Sequence, residues 1–264
     1  GGDAAAWIKT ANALKARYAN RLSQRDAAGS ATKALAALSG AYSSDADDAN
    51  MIFGEGGTSL NQWYAYEQSR GSYIRVSATF VDALDGKSDP RLPVFCAKDA
   101  QGGYSGTPPD DTDMDTSSYV GTYYASPASS IPLVSYVEMK FIEAEAKLRS
   151  GDAGGAAMAH NDAVKASIMQ VTGASDATYE GANASETAAS ITLEKIMYEK
   201  WVALFIQCEA YADWRRTGFH ALVPNVNGNT PSIPVRLVYP QNERLYNTNF
   251  PGTKELTDPV WWDN

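Results

Sequence analysis

The chain has 264 residues, with 22 Lys and Arg against 31 Asp and Glu, so its formal net charge is −9 with histidine neutral. At 44% hydrophobic and 20% charged, with 15 Tyr, 7 Phe and 6 Trp, it holds ample material for a core, which excludes disorder over most of its length. The acidic balance, with no basic run longer than Arg215-Arg216, removes the electrostatic footprint that nucleic-acid or anionic-lipid binding requires.

Cys96 and Cys208 form no CxxC or Cys/His cluster and read as small buried hydrophobes. His160 and His220 sit in no metal-ligand spacing, and neither a P-loop nor a GxGxxG turn is present. Around Ser105 the string Gly103-Tyr104-Ser105-Gly106-Thr107 lacks the last glycine of a nucleophile elbow. No cofactor is expected. There is no run of about eighteen apolar residues to make a spanning helix. The opening Gly1-Gly2-Asp3, without methionine or leader, reads as a piece of a longer precursor.

Residues 4 to 25 place Ile8, Ala11, Leu14, Tyr18 and Leu22 at spacings of three and four, which predicts a helix burying that stripe. Asp26 to Ser30 ends it, and Ser30 caps a second helix running through Leu38 to Gly40, so residues 1–41 read as an antiparallel hairpin. From 42 to 131 the helical period fails among Ser, Gly, Asp and Pro, with only 73–84 regular, as a short helix or a strand; so long an excursion is usually functional. Helical order returns in 132–218. Val134, Val137, Phe141, Ala144 and Leu148 mark one helix, stopped at Gly151-Asp152, and Ala156, His160, Ala163 and Ser167 mark the next. Thr192 to Thr217 reads as a single third helix, Thr192 being its N-cap and Trp201, Leu204, Phe205, Cys208, Tyr211 and Trp214 its core face. Residues 219–264 revert to turns, with Trp261-Trp262 expected to cap the bundle. The Gly-Asp turn followed by Ala156, His160 and Ala163 matches half of a tetratricopeptide unit, while Lys147 makes the other half degenerate. The fold class expected is mostly α: a single domain of tetratricopeptide-like hairpins, an α-α superhelix, with long irregular loop insertions.

Several strings, in order, resemble the SusD/RagB family of outer-membrane nutrient-uptake lipoproteins, in particular its SusD-like subgroup. They are Asn61-Gln62-Trp63-Tyr64-Ala65-Tyr66-Glu67, Asp89-Pro90-Arg91-Leu92-Pro93, Pro132 to Glu138 running into Ala144-Glu145-Ala146, Glu199-Lys200-Trp201, Asp213-Trp214-Arg215-Arg216-Thr217-Gly218, Ile233-Pro234-Val235-Arg236 and Asp258-Pro259-Val260-Trp261-Trp262. The resemblance implies the C-terminal part of a longer protein, whose lipidated N-terminal cysteine and first tetratricopeptide pairs lie outside this chain. It implies a surface position at the outer membrane, capture of glycans or other oligomeric nutrients without chemistry, and delivery to a SusC-like TonB-dependent transporter. The alternatives are a helical glycan-degrading enzyme and a tetratricopeptide-type protein-binding scaffold.

Sugar rings stack their C–H faces on aromatic side chains and need planar polar partners for their hydroxyls. Segment 60–124 offers both, with Asn61, Gln62, Gln101 and Asp115 among Trp63, Tyr64, Tyr66, Tyr73, Tyr104, Tyr119, Tyr123 and Tyr124. Trp63, Tyr66, Tyr104, Tyr119, Tyr123 and Tyr124 are the candidate ligand-binding residues. A glycosidase needs two carboxylates facing one bond. Glu138, Glu143 and Glu145 share a helix but point different ways and read as a solvated face. Asp111, Asp113 and Asp115 imitate the start of a calcium loop, yet Thr116 and Thr122 replace its glycine and closing glutamate.

Overall fold

Small residues, rather than bulky ones, decide how the first helices pack. The computed structural model describes residues 2–110, 116–225, 227–228, 230 and 232–263. Helix α1 (Ala4–Arg21) and helix α2 (Ala27–Leu38) form the expected hairpin, capped by the carboxylates of Asp3 and Asp26, which accept from Ala5 N at 2.9 Å and Gly29 N at 2.8 Å. The second helix therefore starts at Asp26, and Ser30 lies inside it. The buried seam also differs from the expected stripe. Ala13, Ala16, Ala31 and Ala34 are fully buried, whereas Ile8 and Tyr18 are 62% and 53% exposed. Alanines let the helix axes approach closely, so the larger side chains are left on the outer face.

Strand β1 (Ala49–Met51) then pairs antiparallel with strand β2 (Ile131–Val134), Ala49 opposite Val134 and Met51 opposite Ile131. This ribbon ties together the two ends of the long excursion. Inside it the regular stretch expected over 73–84 is helix α4 (Ala78–Gly86), and the structure adds two helices that the sequence concealed, α3 (Gln62–Ser69) before it and α5 (Leu92–Phe95) after it. None exceeds nine residues, too short for a helical period to stand out against Ser, Gly and Pro. They pack through Phe80, Leu84, Phe95, Cys96, Val120 and Tyr124 against Val171 and Val202. Gly121 is required there, because a Cβ on it would collide with the carbonyl of Val94.

The scaffold follows as α6 (Tyr136–Arg149), capped by Ser135, α7 (Ala153–Thr172), capped by Asp152, and the short α8 (Ala177–Asn183). Thr192 caps α9 (Leu193–Ala203), as expected, but the third run is two helices. Ile206 turns the chain in the left-handed region with φ of 63°, and α10 (Cys208–Thr217) departs in a new direction until Gly218, with φ of 71°, ends it. Reorientation leaves Cys208 exposed and Tyr211 43% exposed, so neither is the core residue that helical spacing indicated; Cys96 is buried as expected. A last helix, α11 (Gln241–Tyr246), lies on the surface. Trp262 sits beneath the guanidinium of Arg215, 4.5 Å from its ring, while its neighbour Trp261 stays 68% exposed. No helix of the described residues is long and apolar enough to cross a membrane.

Helix α6 is the hub. Val137, Phe141 and Ala144 face α7, and Met139, Ile142 and Ala146 face α1 and α2. A helix enclosed on two sides presents little to water, and Glu138 and Glu145 are fully buried on the remaining side. The solvated face expected for these carboxylates is therefore confined to Glu143, which pairs with Lys140 and Lys147 at 2.8 and 2.6 Å. Glu145 accepts from Arg216, Arg149 and Asn20. Arg216 also holds Asp213 at 2.7 Å, and Asp213 meets the buried Lys200 at 2.7 Å. Glu138 receives Arg17. Burial alone would raise the Glu145 carboxyl, but Arg216, Arg149 and Lys200 together outweigh it and hold it below the usual carboxylate range. A second buried cluster joins Arg91 to Asp89 at 2.6 Å, Glu199 at 2.8 Å and the Tyr179 hydroxyl at 3.1 Å. Most charged residues of the quoted strings thus serve the interior.

Candidate functional site

One surface of the excursion combines open aromatic faces with fixed polar groups. It begins at Asn61, which is fully buried and caps α3 by accepting from Trp63 N at 2.8 Å and Tyr64 N at 3.3 Å, while its amide donates to Ser129 O at 2.7 Å. That anchoring sets the direction of α3. Tyr66, 39% exposed, and Glu67 follow Trp63 by about one turn. The chain after α3 brings up Tyr73, 61% exposed, with the Arg70 guanidinium 5.8 Å from its ring centre. Arg75 pairs with Glu67 at 3.2 Å and lies 5.6 Å over the Tyr119 ring. The Tyr119 hydroxyl donates to the Trp63 carbonyl, and burial pushes this phenol up to about 12. Trp63, Glu67, Arg75 and Tyr119 therefore form one braced shelf, and Tyr66 and Tyr73 are the exposed rings of the α3 segment that carries it.

Beside the shelf opens a hollow of about 310 Å³. Trp63, Phe80, Val120, Trp201 and Phe205 line it together with the polar Arg75, Ser77 and Thr79. Phe80 and Phe205 stack at 4.4 Å between ring centres, and Trp201 meets Phe80 edge-on at 5.1 Å. The Trp63 indole Nε1 is buried without a hydrogen-bond partner. Trp201 and Phe205 are half-buried here, although their spacing assigned them wholly to the core. The turn at Ile206, which no helical pattern could reveal, carries α10 away, and Trp201 and Phe205 pack on Phe80 of the excursion.

The six candidate residues do not converge on one site. Trp63 and Tyr119 belong to the shelf, with Tyr66 on the segment that carries it, and the half-buried Tyr104 packs against the same aromatic cluster. Tyr123 lines a separate cavity of about 220 Å³ with Asn50, Tyr124 and Gln170. Tyr124 is 5% exposed and stacks on Phe95 at 5.9 Å, so it packs mainly in the core at the floor of that cavity. Asp111, Asp113 and Asp115 lie outside the described residues. Three larger depressions have other characters, one of them a hollow of about 510 Å³ beside Tyr239, Arg244 and Phe250 near the end of the chain. A groove of about 560 Å³ runs along α1 beside Trp7, Leu14 and Leu133, and a polar pocket of about 510 Å³ surrounds Lys87, Glu186, Lys195 and Tyr198. None of the three adjoins the aromatic cluster around Phe80.

The sequence profile described as "Starch-binding associating with outer membrane", the SusD-like type, matches residues 1–240. Among solved structures, a chitin-binding protein aligns with a TM-score of 0.84 at 28% identity, over 99% of this chain and 65% of its own. A chitin-binding SusD homolog from Flavobacterium johnsoniae aligns with a TM-score of 0.84 at 23% identity, over 100% and 64%. A SusD homolog from Bacteroides vulgatus ATCC 8482 aligns with a TM-score of 0.82 at 22% identity, over 98% and 63%. The chain thus spans about 65% of the length of the first of these proteins. No curated protein matches it. With its helical hairpins, its quoted strings and a profile match over nearly its whole length, the chain belongs to the SusD-like family.

Proposed function

We propose that this chain is the ligand-holding part of a non-catalytic surface protein that captures glycans at the outer membrane and passes them to a SusC-like TonB-dependent transporter. The observation that carries the reading is the braced shelf, where Tyr66 and Tyr73 expose ring faces beside Arg70 and the Arg75–Glu67 pair. A sugar ring stacks on such faces while planar charged groups take its hydroxyls. The shelf carboxylate Glu67 is engaged by Arg75, which suits holding better than proton transfer. Membership of the family and the 28%-identical chitin-binding relative support carbohydrate as the ligand class.

Affinity electrophoresis through gels containing polysaccharides, with reducing ends assayed in parallel, tests the proposal. Retardation without new reducing ends is expected. Replacing Tyr66 and Tyr73 by Ala should weaken binding about tenfold, as loss of a stacking residue does, with the melting temperature nearly unchanged. New reducing ends would instead identify an enzyme, and the absence of retardation by any glycan would remove the reading.

A further inference from the structure

A small polar cavity lies where the ribbon meets the end of the excursion. It measures about 220 Å³ and is walled by Asn50, Tyr123, Tyr124, Ser130, Pro132 and Gln170, with the exposed Asn50 at its mouth and the buried Tyr124 at its floor. Asn50 stands opposite Pro132 in the ribbon, and the loop leading to Ser130 is pinned where Ser126 and Ser129 donate to the Thr122 carbonyl. Tyr123 donates to the Gln170 carbonyl at 3.4 Å, and the Gln170 amide donates to Asp48 at 2.8 Å, so these walls are held as well. Tyr124 is 5% exposed, yet its hydroxyl has no hydrogen-bond partner among the described residues and, unlike Trp63 Nε1, is not sealed off from the cavity it floors. Burial raises the Tyr124 phenol, so its proton stays in place as a donor. The Ser130 hydroxyl and the Gln170 side-chain oxygen have no partner among the described residues either.

No charged side chain lines this space. An anion would find no cation there and would face the Asp48 carboxylate behind Gln170, while a cation would shed water without gaining a charged partner in the walls. The hydroxyls and amides that do line it can each donate and accept, which is the pattern that vicinal hydroxyl groups present in return. The volume falls short of the roughly 300 Å³ at which sites for drug-sized molecules begin, so it excludes an oligosaccharide. We propose that this cavity binds one neutral sugar ring, a pentose or a hexose, through its neighbouring hydroxyls. The site is separate from the shelf and stands independently of the reading given to it. The Tyr124 hydroxyl donates to one sugar oxygen at the floor, Ser130 and the Gln170 oxygen take the adjacent hydroxyls, and Pro132 offers an apolar wall to the ring C–H groups. A site built around buried hydrogen bonds rejects a ligand that lacks their partners far more strongly than a site built on shape alone.

The test is a saturation-transfer NMR titration of the full chain with D-xylose, D-glucose and D-glucuronate. At least one of the two neutral sugars is expected to bind with a dissociation constant of about 1–10 mM, and glucuronate at least about tenfold more weakly than it. Tyr124→Phe removes only the unpartnered hydroxyl, so it should weaken the neutral sugar by about five- to tenfold with the melting temperature unchanged. Ser130→Leu, whose longer side chain fills the cavity, should abolish binding. Replacing Tyr66 and Tyr73 by Ala should leave monosaccharide binding as it is. No saturable transfer to either neutral sugar would show a cavity that holds water only and would overturn the site. Affinity that survives both Tyr124→Phe and Ser130→Leu overturns its placement, and glucuronate binding as tight as that of glucose overturns the neutral class. Monosaccharide binding that depends on Tyr124, found together with no retardation by any polysaccharide, supports this site and removes only the reading of the shelf.

Discussion

Asp48 illustrates how one side chain's environment is set by contacts that its neighbours in sequence do not reveal. It stands in a run of Ser and Asp, yet its carboxylate accepts from Tyr136 N at 2.6 Å and from Gln170 Nε2 at 2.8 Å, linking the start of the ribbon to α6 and α7. Burial pushes its pKa up to about 6, and Asp45 and Asp47 add to the shift. A carboxyl raised in the folded state is a cost that is complete above the folded value and fades as pH falls toward the unfolded value. Asp48→Asn keeps an acceptor for Tyr136 N, and Gln170 can turn its amide to match. The variant should melt about 2 °C higher than the parent at pH 8, with the advantage shrinking through pH 6 and vanishing near pH 4; calorimetry across that range checks it. A constant difference at all pH values would contradict the assignment. The same lesson applies at Tyr124, where Gly, Ser and Tyr neighbours gave no sign of burial, and the ring nevertheless stacks on Phe95.

Among the elements, helices with long amphipathic faces and clear caps were legible, and short ones were not. Ser135, Asp152 and Thr192 each cap a helix, as the capping chemistry of these residues leads one to expect. Helix α3 has eight residues and no buried one, so its position depends on its cap and its tether rather than on an apolar stripe. Asn61 supplies both, since its side chain bonds the first turn and the Ser129 carbonyl. Asn61→Ala should cost about 1–2 kcal/mol, combining a lost N-cap with the lost tether to the half-buried Ser129 carbonyl. Because the shelf is built on α3, glycan affinity should fall with it, whereas Ser135→Ala, a cap remote from the shelf, should lower stability without a matching loss of affinity. Denaturant unfolding and affinity electrophoresis on the two variants separate these outcomes. The break between α9 and α10 shows the opposite limit. Leu204, Phe205, Cys208 and Trp214 continue a helical pattern across Ile206, and only the left-handed turn there ends it.

For the molecule as a whole, the organising fact is that α6 is enclosed and its buried acids are matched by bases from distant parts of the chain. Arg17 comes from α1 and Arg216 from α10, while Lys200 of α9 pairs with Asp213, the second carboxylate on Arg216. Removing one member strands the others, so Arg216→Ala, which leaves Glu145 and Asp213 buried without their shared partner, should destabilise by about 3–5 kcal/mol. The loss should appear in global unfolding rather than at the shelf, and an unchanged unfolding midpoint would refute it. By itself the sequence determined the helical class, the hairpins, the absence of a phosphate loop or nucleophile elbow, and the ordered strings that tie the chain to its family, because each depends on local period, capping or residue order. It also located the excursion and its aromatic richness. Tertiary structure alone decided which carboxylates are interior, which aromatics remain open, and that Trp201 and Phe205 meet Trp63 around a hollow. The physical reason is that burial and convergence are sums over contacts between segments far apart in the chain, and no local pattern contains those sums.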